Sequence, residues 1–150
     1  MRFAMMTYVV VFAACSSTNV SQTPASQTAS RPSELELIVA NQQSASASVL
    51  KADGVTMMHI PVGNGPHEAM ISPDGKIGVV SIYGAQQPGN QIAVIDMARD
   101  SVIRTIDLGQ YRRPHGMGFF EGSRMLIATS EASQNVVIVD LQTGAIEAIP

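Results

Sequence analysis

The sequence predicts an all-β fold of repeated four-stranded antiparallel sheets, and three observations predict it. A proline-histidine pair that opens a strand occurs twice, at Pro66-His67 and Pro114-His115, 48 residues apart. The glycines around it keep nearly the same rhythm, Gly63 to Gly109 spanning 46 residues and Gly75 to Gly122 spanning 47. A period in this range, filled with strands and turns, marks a propeller blade or a related repeat array. Finally, residues 92–95 (IAVI) and 136–139 (VVIV) are apolar at every position. A half-exposed strand would alternate, whereas a strand buried on both faces needs a layer on each side. An ordinary β-sandwich core also buries strands, but the repeat spacing favours stacked blades, in which each sheet lies between its neighbours.

The elements follow in order. Residues 35–41 (LELIVAN) form a strand that ends at a polar run, and 47–51 form a second, closed by the turn Ala52-Asp53-Gly54. Residues 55–60 are a third strand, followed by a turn from Gly63 to Pro66. The strand 67–72 leads into Pro73-Asp74-Gly75, where each residue holds a position that a tight turn favours. Strand 76–83 precedes a loop at 84–90 rich in Gly, Gln and Pro, and strands 91–96 and 101–108 finish this unit. The second copy repeats the order with strands at 115–120, 124–129, 135–140 and 145–149. The total is eleven strands, or about 2.75 four-stranded blades of a partial β-propeller, whereas closed propellers typically have about four to eight. The first blade lacks its innermost strand, and the chain stops at Pro150 after an outermost one. The expectation is therefore a fragment of a longer propeller, with apolar blade faces that are open to self-association.

Composition limits the partners. Of 150 residues, 9 are basic and 12 acidic, for a formal charge of −3, which exerts no long-range pull on nucleic acid or on anionic lipid. The tight basic pair Arg112-Arg113 reads as a solvated turn. Trp is absent and the aromatics past residue 15 are Tyr83, Tyr111, Phe119 and Phe120. The core is therefore aliphatic, which suits tightly packed sheets better than an aromatic-lined pocket.

The chain opens with Met1-Arg2, then an apolar run from Phe3 to Ala14 that is too short to span a bilayer as a stable helix. Followed by Ala13-Ala14-Cys15, it has the pattern of a secretory signal. Cys15 is the single cysteine, so no intramolecular disulfide forms. Residues 16–33 (SSTNVSQTPASQTASRPS) bury too little apolar surface to offset ordering and read as a disordered tether, about 20–25 Å in root-mean-square span. The organisation predicted is a signal peptide at 1–15, a tether at 16–33 and an incomplete propeller domain at 34–150.

Two resemblances attach to these residues. Ala13-Ala14-Cys15 with a polar stretch behind it resembles the lipobox of bacterial lipoproteins, which implies lipidation of Cys15 and a membrane-anchored protein on the periplasmic or cell-surface side. Phe12 departs from the aliphatic residue usual there, and plain secretion after an Ala-x-Ala-like site is the alternative. Residues 37–149 resemble the YVTN-type repeats of YncE-like bacterial β-propellers. The marks are Gly63 to His67, Ser72-Pro73-Asp74-Gly75, Ile38-Val39-Ala40-Asn41, Ala93-Val94-Ile95-Asp96 and Ile60-Pro61-Val62-Gly63. Asp140 repeats Asp96, while Glu68 stands where the pattern has Gly and Glu121-Gly122 lacks a preceding Pro. The resemblance implies the fold and no particular activity.

The candidate chemistry is sparse. His67 and His115 sit where innermost strands begin, around the central channel of a propeller. Two imidazoles there suit a metal or a ligand. Their matched placement favours a structural role instead, each fixing its turn by a hydrogen bond within its blade, so no metal is assigned. His59 reads as surface. Asp53, Asp96 and Asp140 recur after third strands and read as Asx caps of hairpin turns. Gly63-Asn64-Gly65 precedes neither a helix nor a Lys and fails as a phosphate loop. There is no Cys-x-x-Cys-His, metal-spaced cysteine set or Gly-x-Ser-x-Gly, so no catalytic residue and no cofactor is assigned. The expectation is an exported, non-enzymatic binding or scaffold protein. Its ligand, a small molecule or a protein, would meet the channel mouth at His67, Tyr111, Arg112, Arg113 and His115. The alternative is part of a propeller enzyme, such as a quinoprotein-like redox subunit or a lactonase-like hydrolase, on fold analogy.

Overall fold

A computed structural model of the chain describes residues 36–149. The predicted signal segment with Cys15, the tether and Leu35 lie outside the described residues. The first sheet holds β1 (Leu37–Asn41), β2 (Ser46–Leu50) and β3 (Met57–Pro61), and the second β4 (Pro66–Ile71), β5 (Ile77–Gly84), β6 (Pro88–Asp96) and β7 (Ser101–Asp107). The third holds β8 (Pro114–Phe120), β9 (Met125–Ser130), β10 (Asn135–Asp140) and β11 (Ile146–Ile149). Each sheet is an antiparallel meander in chain order. One 3-10 turn, Gln42–Ser44, links β1 to β2.

Residue parity explains how the sheets stack. In β6, Ala93 and Ile95 face the first sheet and join Ile38, Val49, Ile60, Val80 and Ile82 in one core. Ile92 and Val94 face the other way, onto Leu126, Ala128, Val137 and Val139 of the third sheet. Successive side chains of a strand alternate between faces. An unbroken apolar run is therefore what a sheet needs when it has a neighbour on both sides. All four residues of 92–95 are buried, as predicted. The second run behaves differently. Val137 and Val139 are buried against the second sheet, while Val136 and Ile138 are half-buried, because among the described residues nothing covers that face.

Polar groups tie the sheets together at their turns. Lys51, just past β2, donates to the Met97 carbonyl at 2.9 Å and pairs with Glu36 and Asp100 at 3.1 and 2.5 Å. Burial lowers the Lys51 pKa, but Asp100 and Glu36 outweigh it, so the net shift is upward. In the next gap Arg104 of β7 does the analogous work, donating to the carbonyls of Gln142 and Thr143 in the turn after β10. Asp53, Asp96 and Asp140 cap their turns as the sequence suggested. Each Oδ1 accepts two backbone N–H groups, two and three residues on. The Arg124 guanidinium also binds Asp140, at 2.5 Å, and with those backbone donors holds its carboxyl far below the usual carboxylate range.

Element ends differ from expectation in one informative place. The predicted loop at 84–90 is shorter, because β6 starts at Pro88. Gly84 pairs with Pro88, and the strands approach so closely there that a Cβ on Gly89 would collide with the Ile82 carbonyl oxygen. The two complete blades keep a constant offset of 48 through their first two strands, since Pro66 pairs with Ile82 and Pro114 with Ser130. Past the second hairpin the offset is 44, from Asp96 to Asp140. Of these pairs of strands, only the hairpin tip changes in length.

Candidate functional site

The site forms where β4 and β8, the first strands of the two complete blades, lie side by side. Each strand carries a β-bulge at its histidine. Pro66 pairs with Ile82 and Ala69 with Val80, so three steps on β4 match two on β5. Pro114 to Met117 against Ser130 to Ala128 repeats the same mismatch. A bulge frees residues from the ladder and re-aims their side chains. Here it frees His67 with Glu68 and His115 with Gly116. Ser81, fully buried on β5, satisfies the displaced Glu68 N–H at 2.9 Å.

The bulges turn the two imidazoles toward each other across the gap between blades. Their ring centroids are 4.5 Å apart, with planes tilted by 43°. Tyr83 of β5 packs against both rings, 4.9 Å from His67 and edge-on at 5.8 Å from His115. The guanidinium carbon of Arg113 lies 4.5 Å from the centre of the Tyr83 ring, within cation–π range. The Tyr83 hydroxyl donates to Glu131 at 2.7 Å, which again joins the second sheet to the third. Glu68 Oε1 sits between the imidazoles, 3.7 Å from His67 Nδ1 and 3.8 Å from His115 Nδ1. All three side chains remain between a third and a half exposed, at 34%, 43% and 42% for His67, Glu68 and His115. A solute can reach them.

The Arg113 backbone is held in a left-handed conformation, φ 57°, which a non-glycine residue adopts at a cost of about 1–2 kcal/mol. Two backbone bonds fix it: its N–H donates to the Gly89 carbonyl at 2.8 Å, and its carbonyl accepts from Glu131 at 3.1 Å. Gly89 thus positions both the stacked arginine and the close strand approach beneath Tyr83.

The sequence-predicted residues divide. His67, His115 and Arg113 come together. Tyr111 instead packs against the core between the second and third sheets, and Arg112 points to the Pro88 carbonyl at 3.4 Å. The expectation that each histidine hydrogen-bonds within its blade is not met, since neither imidazole makes a hydrogen bond among the described residues. Their contacts also run between blades, His67 meeting His115 while it packs on Tyr83 of its own sheet. His59 is exposed and bonded to Ser48 at 3.0 Å, as a surface residue. Glu68 and Tyr83 were missed. The available signal for Glu68 was an acidic side chain at the place where the repeat pattern has Gly. Tyr83 has no counterpart in the third blade, where the residue after Ser130 is Glu131, its hydrogen-bond partner.

No family model and no curated protein sequence matches the chain. Solved structures do. Hydrazine synthase from Kuenenia stuttgartiensis superposes with a TM-score of 0.63 and 29% identity over 76% of this chain and 34% of that one. Virginiamycin B lyase from Staphylococcus aureus gives a TM-score of 0.63 and 17% identity over 77% of this chain and 37% of that one. A dihydro-heme d1 dehydrogenase gives a TM-score of 0.65 and 11% identity over 77% of this chain and 25% of that one. The chain is a partial β-propeller. It spans about a third of the first two solved structures that it matches. In propeller geometry β4 and β8 are the inner strands of adjacent blades, and the imidazole pair stands at the end where those strands begin.

Proposed function

We propose that the chain is an exported, lipid-anchored portion of a YVTN-type β-propeller that serves as a binding or scaffold domain. The observation that carries the reading is the convergence of His67, Tyr83, Arg113 and His115 from two blades onto one accessible spot. Stacked rings beside a guanidinium suit a ligand that offers an aromatic ring or an anionic group. Among the described residues no serine or cysteine nucleophile stands beside a base in that cluster, which favours binding over hydrolysis. The test is a nuclear magnetic resonance titration of the full chain with small aromatic carboxylates. Saturable shifts at His67, Tyr83 and His115 are expected, and shifts confined to other residues would refute the reading.

A second reading has support of its own. At 29% identity the chain is nearest in sequence, among the three structures compared, to hydrazine synthase, and the other two are named as a lyase and a dehydrogenase. On this reading the blades form a supporting part of a redox or hydrolytic enzyme, and the natural protein would carry a bound chromophore or turn over a substrate.

Export through a signal segment and acylation of Cys15 complete the proposal. Stable anchoring takes two lipid signals, as a multiply acylated N-terminal cysteine provides. Cys15→Ala is expected to abolish incorporation of a labelled fatty acid and to move the protein from the membrane fraction to the soluble one. A wild-type chain without label, together with a variant that stays on the membrane, would exclude the anchor.

A further inference from the structure

We infer that His67, Glu68 and His115 form a binding site for a divalent first-row transition metal ion of the zinc class. The inference rests on the reading of this end of the sheets as a binding surface and gives that surface a specific ligand. One ligand atom from each of the three residues lies within 4.8 Å of the other two. Zinc bound at about 2.0–2.2 Å to nitrogen and oxygen in a tetrahedron holds its ligand atoms about 3.3 Å apart. The observed separations of 3.7 and 3.8 Å from Glu68 Oε1 to the two Nδ1 atoms approach that spacing. The two imidazole nitrogens lie within 4.8 Å of each other, so rotation of these partly exposed side chains has to draw the set together around the ion.

The chemistry of the donor set narrows the ion. Two imidazoles with one carboxylate suit zinc, copper, nickel and iron, whereas calcium and magnesium favour oxygen donors. Competing partners for the donors are few. Neither imidazole makes a hydrogen bond among the described residues. The Tyr83 hydroxyl is committed to Glu131, and the Arg113 guanidinium to the Tyr83 face and the Ala85 carbonyl at 3.4 Å. With Nδ1 as donor, each ring carries its proton on Nε2. The three protein donors leave at least one position of a tetrahedral ion open to water or to a ligand in the channel. An ion there also joins β4 to β8, so it links two blades that otherwise meet through packing and turn contacts.

The chain has three histidines, which makes the test clean. Zinc chloride is titrated into the full chain while the three imidazole resonances are followed. His67 and His115 are expected to shift together to an end point of one ion per chain, with His59 unmoved. Glu68→Gln, which keeps the shape of the side chain, and His115→Ala are each expected to weaken zinc binding by at least about tenfold. His59→Ala is expected to bind as the wild type does. The metal-free spectra of the variants report whether the fold is kept, and Glu68→Gln decides if His115→Ala fails to fold. Absence of saturable zinc binding overturns the site, even if aromatic carboxylates still shift the His67 resonance. Equal binding by Glu68→Gln overturns it as well. Saturable binding at the two histidines with no response to the carboxylates upholds the metal site and instead ends the reading of an organic-ligand surface.

Discussion

Ile95→Ala is expected to destabilise the chain by about 3–4 kcal/mol, measured as a shift in the denaturant midpoint at constant slope. Ile95 is fully buried in the core between the first and second sheets, with Val80 and Ile82 of its own sheet and Ile38, Val49 and Ile60 of the next. Shortening it removes three buried carbons and leaves a cavity that two β-sheets, fixed by their ladders, close poorly. The matched control is Ile138→Ala, the same change on the half-buried face of the third sheet, with an expected loss of about 1 kcal/mol. If the two substitutions cost the same, the second sheet is not covered on both sides in solution and the stacked arrangement is wrong.

Gly89→Ala is expected to cost at least about 3 kcal/mol and to disorder the candidate site with it. The added Cβ would meet the Ile82 carbonyl oxygen, with the Gly84 nitrogen and the Tyr83 carbonyl carbon both at 2.8 Å. These are backbone atoms of the adjacent strand, which cannot swing aside as a side chain can. Separating the strands would shift Tyr83 and withdraw the Gly89 carbonyl from the Arg113 N–H. Gly75→Ala is the informative comparison. Gly75 has φ 73° but open space around its Cβ position, so its substitution carries only the left-handed backbone penalty of about 1–2 kcal/mol. Thermal unfolding together with the Tyr83 and His67 resonances reads both effects. A Gly89→Ala protein as stable as Gly75→Ala would show that the close approach is absent.

The strands were legible because they are written in single residues: apolar runs, alternation and turn residues at fixed places. The second apolar run has one face open among the described residues, as expected of the last blade in a partial propeller. Residues 136–139 look as fully buried as 92–95, yet burial on both faces requires a neighbour as well as a sequence, and the described residues supply that neighbour on one side only. The histidines were legible as a repeated pair, but their role was not. A bulge is defined by what a strand pairs with, so nothing in Pro66-His67-Glu68 alone shows that the imidazole also meets one from the next blade. Glu68 appeared as a blemish in a pattern, and Tyr83 as an ordinary strand aromatic. Both become part of the site only once β4, β5 and β8 are placed together.

The offset between the two complete blades, 48 before the second hairpin and 44 after it, shows where the chain accommodates extra residues. Within β5 and β6 odd and even residues answer to different neighbours, so losing or gaining one would exchange the two interfaces at a stroke. The tip between Ile82 and Gln91 escapes that rule, and it is there that one blade carries four residues more than its successor. That tip supplies Tyr83 and the carbonyl that Arg113 reaches. The added residues therefore lie beside the imidazoles, at the tip of the hairpin, while β5 and β6 keep the alternation that serves the two interfaces beneath.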